Sequence, residues 1–371
     1  MLTDSQDRDV LDDQDVIYNL VNCLEVMLDT ALAISNQSSL PDFERRYRAA
    51  TADCVSTIGV IPTDEPRERL RSALAEVGYE VSASRNLRET FLAWEQSEGL
   101  LKPEDIQQQA KEIIQDQLQE MRENVFSKLT FPVRHFQNDL SDVSFAGHQF
   151  ATVSEVDFTG SSIYRGGGTS QRPALEGLFE YNIDHPLTFL GLVHLCAHEV
   201  LGHYINAAVG DLLAMNGRLG FLATVGTMCT PDVVFQEGWA QNMIEIMYRS
   251  RDEAAQVYGT GLLVALAQED LQDIAKHNCA IIFQRDGKSI DEVRRHIAEE
   301  CVQGDAKVKK LAGKWAGNQI TGPMYGPAYY LGRVIVNDAI LDIGRLEAAR
   351  LGYHLDGLVD IGTFLAKAYP R

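Results

Sequence analysis

Basic residues are scarce in this 371-residue chain: 33 Lys and Arg stand against 53 Asp and Glu, a formal net charge of −20. A surface this acidic repels phosphate backbones and anionic lipid, which argues against nucleic-acid and membrane partners. No apolar run approaches the ~18–20 residues that span a bilayer. The opening stretch "MLTDSQDRDVLDDQD" has neither the basic segment nor the apolar core of a secretory signal, so the expected location is the cytoplasm. The six cysteines at 23, 54, 196, 229, 279 and 301 form no C-x-x-C pair. In a cytosolic chain they read as free, mostly buried thiols. The run "YRGGGTSQR" (164–172) lacks the G-x-x-x-x-G-K-[ST] of a phosphate-binding loop. Three successive glycines there suggest a flexible connector, or a lid over a cleft.

What the chain does have is helical periodicity. Val10, Leu11, Val16, Ile17, Leu20, Val21, Leu24 and Leu28 keep near-helical spacing across residues 10–37. Residues 41–60 suggest a second helix with Pro41 in its first turn, and "DEPRERLRSALAEVGYE" a third, opened by Asp64 and Pro66 and closed near Gly78. "RNLRETFLAWEQSEG" and "KPEDIQQQAKEIIQDQLQEMRENVFSKL" add two more, the latter with an apolar stripe at Ile106, Ala110, Ile113, Ile114, Leu118 and Met121. After Pro132 the texture turns to Gly, Ser, Thr and short β-prone runs. Residues 177–183, "GLFEYNI", suggest a strand, and Asp184 with Pro186 a helix start that runs to about Gly210. The expected fold is mainly α with a small central β-sheet. Residues 1–131 read as a helical scaffold and 132–371 as a metal-binding catalytic region, with one continuous domain as the alternative.

The chemistry sits in "LVHLCAHEVLGHYINAAVG", residues 192–210. Zinc peptidases use H-E-x-x-H, with two His four residues apart on one helix face. Here His198 and His203 are five apart. On an α-helix of about 100° per residue, that spacing turns them nearly to opposite sides. A π-turn absorbs one extra residue, and Gly202 lies where such a distortion would fall. A catalytic zinc site usually has three protein ligands. Glu237, in "VVFQEGWAQNMIE", is the candidate third, since a carboxylate in an apolar setting needs a cation. Glu199, beside His198, is then free to take a proton from the water that the ion activates.

The H-E-x-x-G-H stretch resembles the lengthened zinc motif of the dipeptidyl-peptidase III type. The order "ALEGLFEYNIDHPLTFLGLVHLCAHEVLGHYIN", "QEGWAQ", "GPMYGPAYYLGR" resembles gluzincin metallopeptidases, especially a bacterial DUF885-type family, over about residues 170–335. The DUF885-type motif itself has a Pro before the Gly-His and a longer spacing. The resemblance implies a zincin-like architecture, Zn2+ on His198, His203 and Glu237, and Glu199 as general base. It further implies a Tyr facing the oxyanion: Tyr330 in "YYLGR" matches best, with Tyr329 next and Pro327 opening that helix. The implied reaction is hydrolysis of a short peptide or small amide, with strand 177–183 aligning an extended substrate.

Other readings stay open. His194 and His198 are i,i+4 and could chelate without a π-turn, leaving His203 outside. Cys196 is poorly placed as a ligand. Tyr325, Tyr329 and Tyr330 could include core aromatics. Arg333 could bind a substrate carboxylate, and Asp211 could orient a ligand histidine. The same two-His, one-carboxylate set can hold Fe2+ in an oxygenase, the site can serve a small-molecule amidase or esterase, or the metal can be purely structural.

Overall fold

The long polar segment does form a helix, α5 (Pro103–Asn124), which buries Ile106, Ala110, Ile113, Ile114, Leu118 and Met121. Because these recur every three or four positions, one stripe faces inward and the polar residues stay in water. Four helices precede it: α1 (Asp4–Ser35), α2 (Phe43–Ala50), α3 (Asp64–Glu76) and α4 (Leu87–Glu98). The computed structural model describes residues 4–130, 148–156, 158–169, 172–185 and 187–370. Asp42 caps α2 by accepting the Arg45 N–H at 2.6 Å. Asn86 and Glu89 cap α4 reciprocally. The second helix ends at Ala50 rather than near 60, because Ala52 and Asp53 turn the chain with positive φ (47° and 55°).

Helix α1 buries only part of the expected stripe. Val16, Cys23, Val26, Thr30 and Ala33 face the body, whereas Ile17, Tyr18, Val21, Leu24, Leu28 and Leu32 are exposed. Its segment Gln14–Ser35 is long and apolar enough to cross a membrane by length and composition. This corrects the sequence reading that no run approaches that length: Asp15, Glu25 and Asp29 interrupt the run to the eye without lowering its mean below that of a spanning helix.

The sheet has three strands, β1 (His148–Val153), β2 (Gly160–Thr169) and β3 (Arg172–Asn182), in the order β1-β3-β2. Strand β3 runs parallel to β1 and antiparallel to β2. The "GLFEYNI" stretch lies in β3, paired from Gly177 to Asn182 with β1 and from Gly177 to Tyr181 with β2. With both edges occupied, it cannot align a substrate. The glycine run is also no loop: Tyr164 to Thr169 continue β2, with register shifts between Tyr164 and Gly166 and between Gly166 and Gly168, while 170 and 171 lie outside the described residues. A glycine suits such shifts, and Gly166 takes φ 59°.

The next helix, α6, begins as Phe189–Cys196, passes through a π-helical segment Ala197–Tyr204 and continues as Ile205–Met215. Its cap is Thr188, which accepts the Gly191 N–H at 3.1 Å. Asp184, the expected cap, instead accepts the Glu155 N–H at 2.6 Å, and Pro186 lies outside the described residues. Then come α7 (Pro231–Gln241), α8 (Met243–Tyr248), α9 (Arg251–Tyr258), α10 (Gly261–Ala280), α11 (Ile290–Arg295), α12 (Asp305–Leu311), α13 (Thr321–Asp342), α14 (Arg345–Gly352) and α15 (Ile361–Ala368). About two thirds of the chain is helical, with one small mixed sheet. The largest apolar cluster runs from Leu70 to Ala368, so α3 to α5 and the region after 147 share one interior, while α1 and α2 pack on smaller clusters beside it. The proposed boundary near residue 131 falls among residues outside the description.

Candidate metal centre

The π segment answers the spacing problem of the motif. An i→i+5 turn brings positions five apart onto one side. The Nε2 atoms of His198 and His203 lie 3.1 Å apart, with ring centroids at 4.7 Å. Gly202 has a second role that its sequence position does not reveal. A Cβ there would sit 2.5 Å from both Cα and Cβ of Ala240, so only glycine lets α6 press against α7 at this point.

That close approach delivers Glu237 from α7. Its Oε2 stands 3.4 Å from His198 Nε2 and 3.6 Å from His203 Nε2. Among the described residues, these three form a group whose ligand atoms all lie within 4.8 Å of one another. Tetrahedral zinc with bonds of about 2.0–2.1 Å separates its ligand atoms by roughly 3.3 Å, so the observed spacings bracket what the ion requires. All three side chains are largely buried. At 3.4–3.6 Å the carboxylate oxygen is too far for a strong hydrogen bond, and Glu237 Oε2 and His198 Nδ1 have no hydrogen-bond partner. A buried carboxylate oxygen left without a partner is costly unless a cation sits before it.

The electrostatics point the same way. Burial pushes His198 down to about 4. Burial also opposes charge on His203, but Glu237 outweighs it and raises the imidazole. Glu237 is itself driven up by burial, yet the two histidines beside it, His203 first, hold it well below the usual carboxylate range. His194 does not replace His203: its ring centroid is 6.1 Å from that of His198, and it lies outside the cluster. Cys196 is fully buried, with its thiol pushed up by burial, and is not among the grouped ligands.

Glu199 is almost fully buried beside the cluster, and burial raises it to about 7. It accepts a hydrogen bond from the Ser162 backbone N–H on β2. A Cβ on Gly160 would come 3.2 Å from Glu199 Oε1. Strand β2, the edge of the sheet, therefore lies directly along the site. Asp211 does not orient a ligand; it accepts the Tyr164 hydroxyl at 2.7 Å and ties β2 to α6.

Tyrosines of α13 complete the site, though not in the expected order. Tyr325, which sequence reasoning left as a core candidate, donates to Glu237 Oε1 at 2.6 Å. Tyr329 donates to Tyr325 at 3.1 Å. Burial, then Glu237, hold both phenols protonated. Tyr330, the preferred match, turns away: its ring lies 5.7 Å from that of His277, with Arg333 over its other face. The reason is the helix start. Pro327 lies inside α13, which begins at Thr321, so Tyr325 and Tyr329 share a face one turn apart and Tyr330 does not. The i,i+4 spacing of Tyr325 and Tyr329 was the available signal. Arg333 is also committed elsewhere, to Asp270 at 3.1 Å and Asp273 at 3.7 Å.

No family model matches the chain and no curated protein matches it. Solved structures do share its fold. A "putative lipoprotein" from Colwellia psychrerythraea aligns with a TM-score of 0.60 at 13% identity, over 94% of this chain and 54% of that one. A "putative lipoprotein of unknown function" from Shewanella oneidensis aligns with a TM-score of 0.55 at 13% identity, over 94% of this chain and 59% of that one. The likeness is one of fold, and this chain spans a little over half the length of each.

Proposed function

We propose that the chain is a zinc-dependent hydrolase of the gluzincin type, cleaving a peptide or amide bond in a short substrate. The observation that carries this reading is the convergence of His198 Nε2, His203 Nε2 and Glu237 Oε2, with the Glu199 carboxyl beside them. Zinc bound there lowers the pKa of a water to about 7 and polarises a carbonyl. Glu199, raised to about 7 by burial, is matched to accept a proton from the attacking water and return it to the leaving nitrogen. Tyr325 holds the second oxygen of Glu237 and so fixes the direction of the first. The Tyr329 hydroxyl is the donor available for the tetrahedral oxyanion. Strand β2, an edge of the sheet among the described residues, rather than β3, is where an extended substrate would add main-chain hydrogen bonds.

The test is to purify the protein, measure its metal by mass spectrometry and incubate it with a mixture of short peptides. One zinc per chain and chelator-sensitive cleavage are expected. A zinc-loaded protein that leaves every peptide and small amide intact would sink the reading, and stoichiometric iron with oxygen uptake would replace it by the oxygenase. We also propose that the chain works at or beyond a membrane rather than in the cytoplasm. The apolar stretch Gln14–Ser35 and the lipoprotein names of two fold neighbours support this. Fractionation of cells expressing the full chain tests it, and recovery wholly in the soluble cytoplasmic fraction refutes it.

A further inference from the structure

Resting on the hydrolase reading, we propose that Lys276 receives a free carboxylate of the substrate, so that the site acts on the C-terminal residue of a short peptide or acyl-amino acid. On α10, Glu269, Gln272 and Lys276 are partly exposed, while Leu271, Asp273, Ile274, Ala275 and His277 are buried. The spacing i, i+3, i+7 puts the three on one face. Lys276 Nζ lies 3.5 Å from the centre of the Tyr329 ring. The Tyr329 hydroxyl touches Tyr325, and Tyr325 touches Glu237. The ammonium thus stands two tyrosines away from a metal ligand, and its charge acts on Glu199, His194 and Glu269.

The lysine is placed there by backbone contact. A Cβ on Gly326 would come 2.8 Å from the Lys276 carbonyl oxygen, so α10 and α13 meet main chain to side-chainless residue at this level. Its ion pair is with Asp273, at 3.1 Å. Asp273 already accepts two hydrogen bonds from Gln241 at 3.0 Å, and Arg333 lies 3.7 Å away. An ammonium has three donors. One goes to Asp273, and an aromatic face screens the charge without accepting a hydrogen bond as an oxygen does. The side chain keeps 12% of its surface exposed. The ammonium already has one anion in Asp273, and its remaining donors and exposed edge are what a substrate carboxylate would meet. The expectation that Arg333 takes this role passes to Lys276, since Arg333 lies on the Tyr330 side of α13 and is paired with Asp270.

The test uses zinc-loaded full-length protein carrying Glu199→Gln, so that binding is read without turnover. Blocked tripeptides are titrated by calorimetry as free acids and as C-terminal amides. The acids should bind about 10–100-fold more tightly, Lys276→Met should erase the difference, and Lys276→Arg should keep much of it. Zinc content and melting temperature should match those of the Lys276 protein; if the Met variant does not fold, the acid–amide comparison and the Arg variant decide. Equal affinity for acid and amide, no binding of either, or a preference that survives Lys276→Met overturns the assignment. Acid-selective binding by a protein that cleaves nothing would keep Lys276 in this role and remove the hydrolase instead.

Discussion

Two clusters of buried histidine among the described residues differ in how many polar atoms have partners. In one, His277 Nε2 meets the Tyr47 hydroxyl at 2.8 Å and His277 Nδ1 meets Asn278 Oδ1 at 3.1 Å. The Asn278 amide in turn bonds the Ile61 carbonyl at 2.9 Å and His296 Nε2 at 3.0 Å. In the other, His198, His203 and Glu237 crowd together with Glu237 Oε2 and His198 Nδ1 unpaired. Burial holds both His277 and His198 down to about 4, so depth and pKa do not separate them. Satisfaction does. A closed hydrogen-bond circuit reads as scaffold, and the cluster with an orphaned carboxylate oxygen is where we propose the ion.

The largest way to sharpen this contrast is Glu199→Gln, which should lower turnover by about 10²–10⁴-fold and leave zinc content at one per chain. Loss of zinc from that variant would mean that Glu199 is a ligand. Next, His203→Ala should weaken zinc by more than the ~10–100-fold that hydrogen-bond partners of ligands are worth, read by competition with a chromophoric chelator. Unchanged affinity would restore His194 as the partner of His198. Third, Tyr325→Phe should cost about 10–100-fold in zinc affinity, whereas Tyr329→Phe should lower turnover and spare the metal.

The smallest effect falls in the satisfied cluster. His277→Ala should reduce unfolding free energy by about 1–3 kcal/mol, through the Tyr47 hydroxyl left without its partner, with no change in metal. The same histidine sets a pH dependence. Its folded value, about 4, lies below the unfolded ~6.5. The neutral form is the folded one, so its contribution is complete above pH 6.5 and is lost as pH falls toward 4, on the order of 3 kcal/mol in all. Denaturant melts of chelator-treated protein across that window should show the slope, and His277→Ala should flatten it. Because His354 is also held near 4, some slope should persist.

The parts legible in sequence were those with a local cause. The α5 stripe was readable because its burial repeats at helical period. The π-turn was readable because five-residue spacing of His198 and His203 leaves few alternatives once both are ligands. The tyrosine order was not, because Pro327 imitates a helix start while sitting in the second turn of α13. The strand role was misplaced because whether β3 is a centre or an edge depends on which strands come to lie beside it. Lys276 carried no signal at all. A lone lysine in "DIAKHN" acquires meaning only when α13 sets an aromatic ring under it.

Helix α7 meets α13 through two glycines. A Cβ on Gly238 would lie 2.2 Å from the Gly332 carbonyl carbon, and one on Gly332 would lie 2.1 Å from the Val234 oxygen. Glu237 is the neighbour of one of these residues, and Tyr325 lies two turns before the other. The offset between the acid and the phenol that steers it is therefore ruled by bare polypeptide abutting bare polypeptide. Flanking side chains can drift among similar volumes without moving Glu237 against Tyr325, while a single added methyl at either contact would prise the two helices apart.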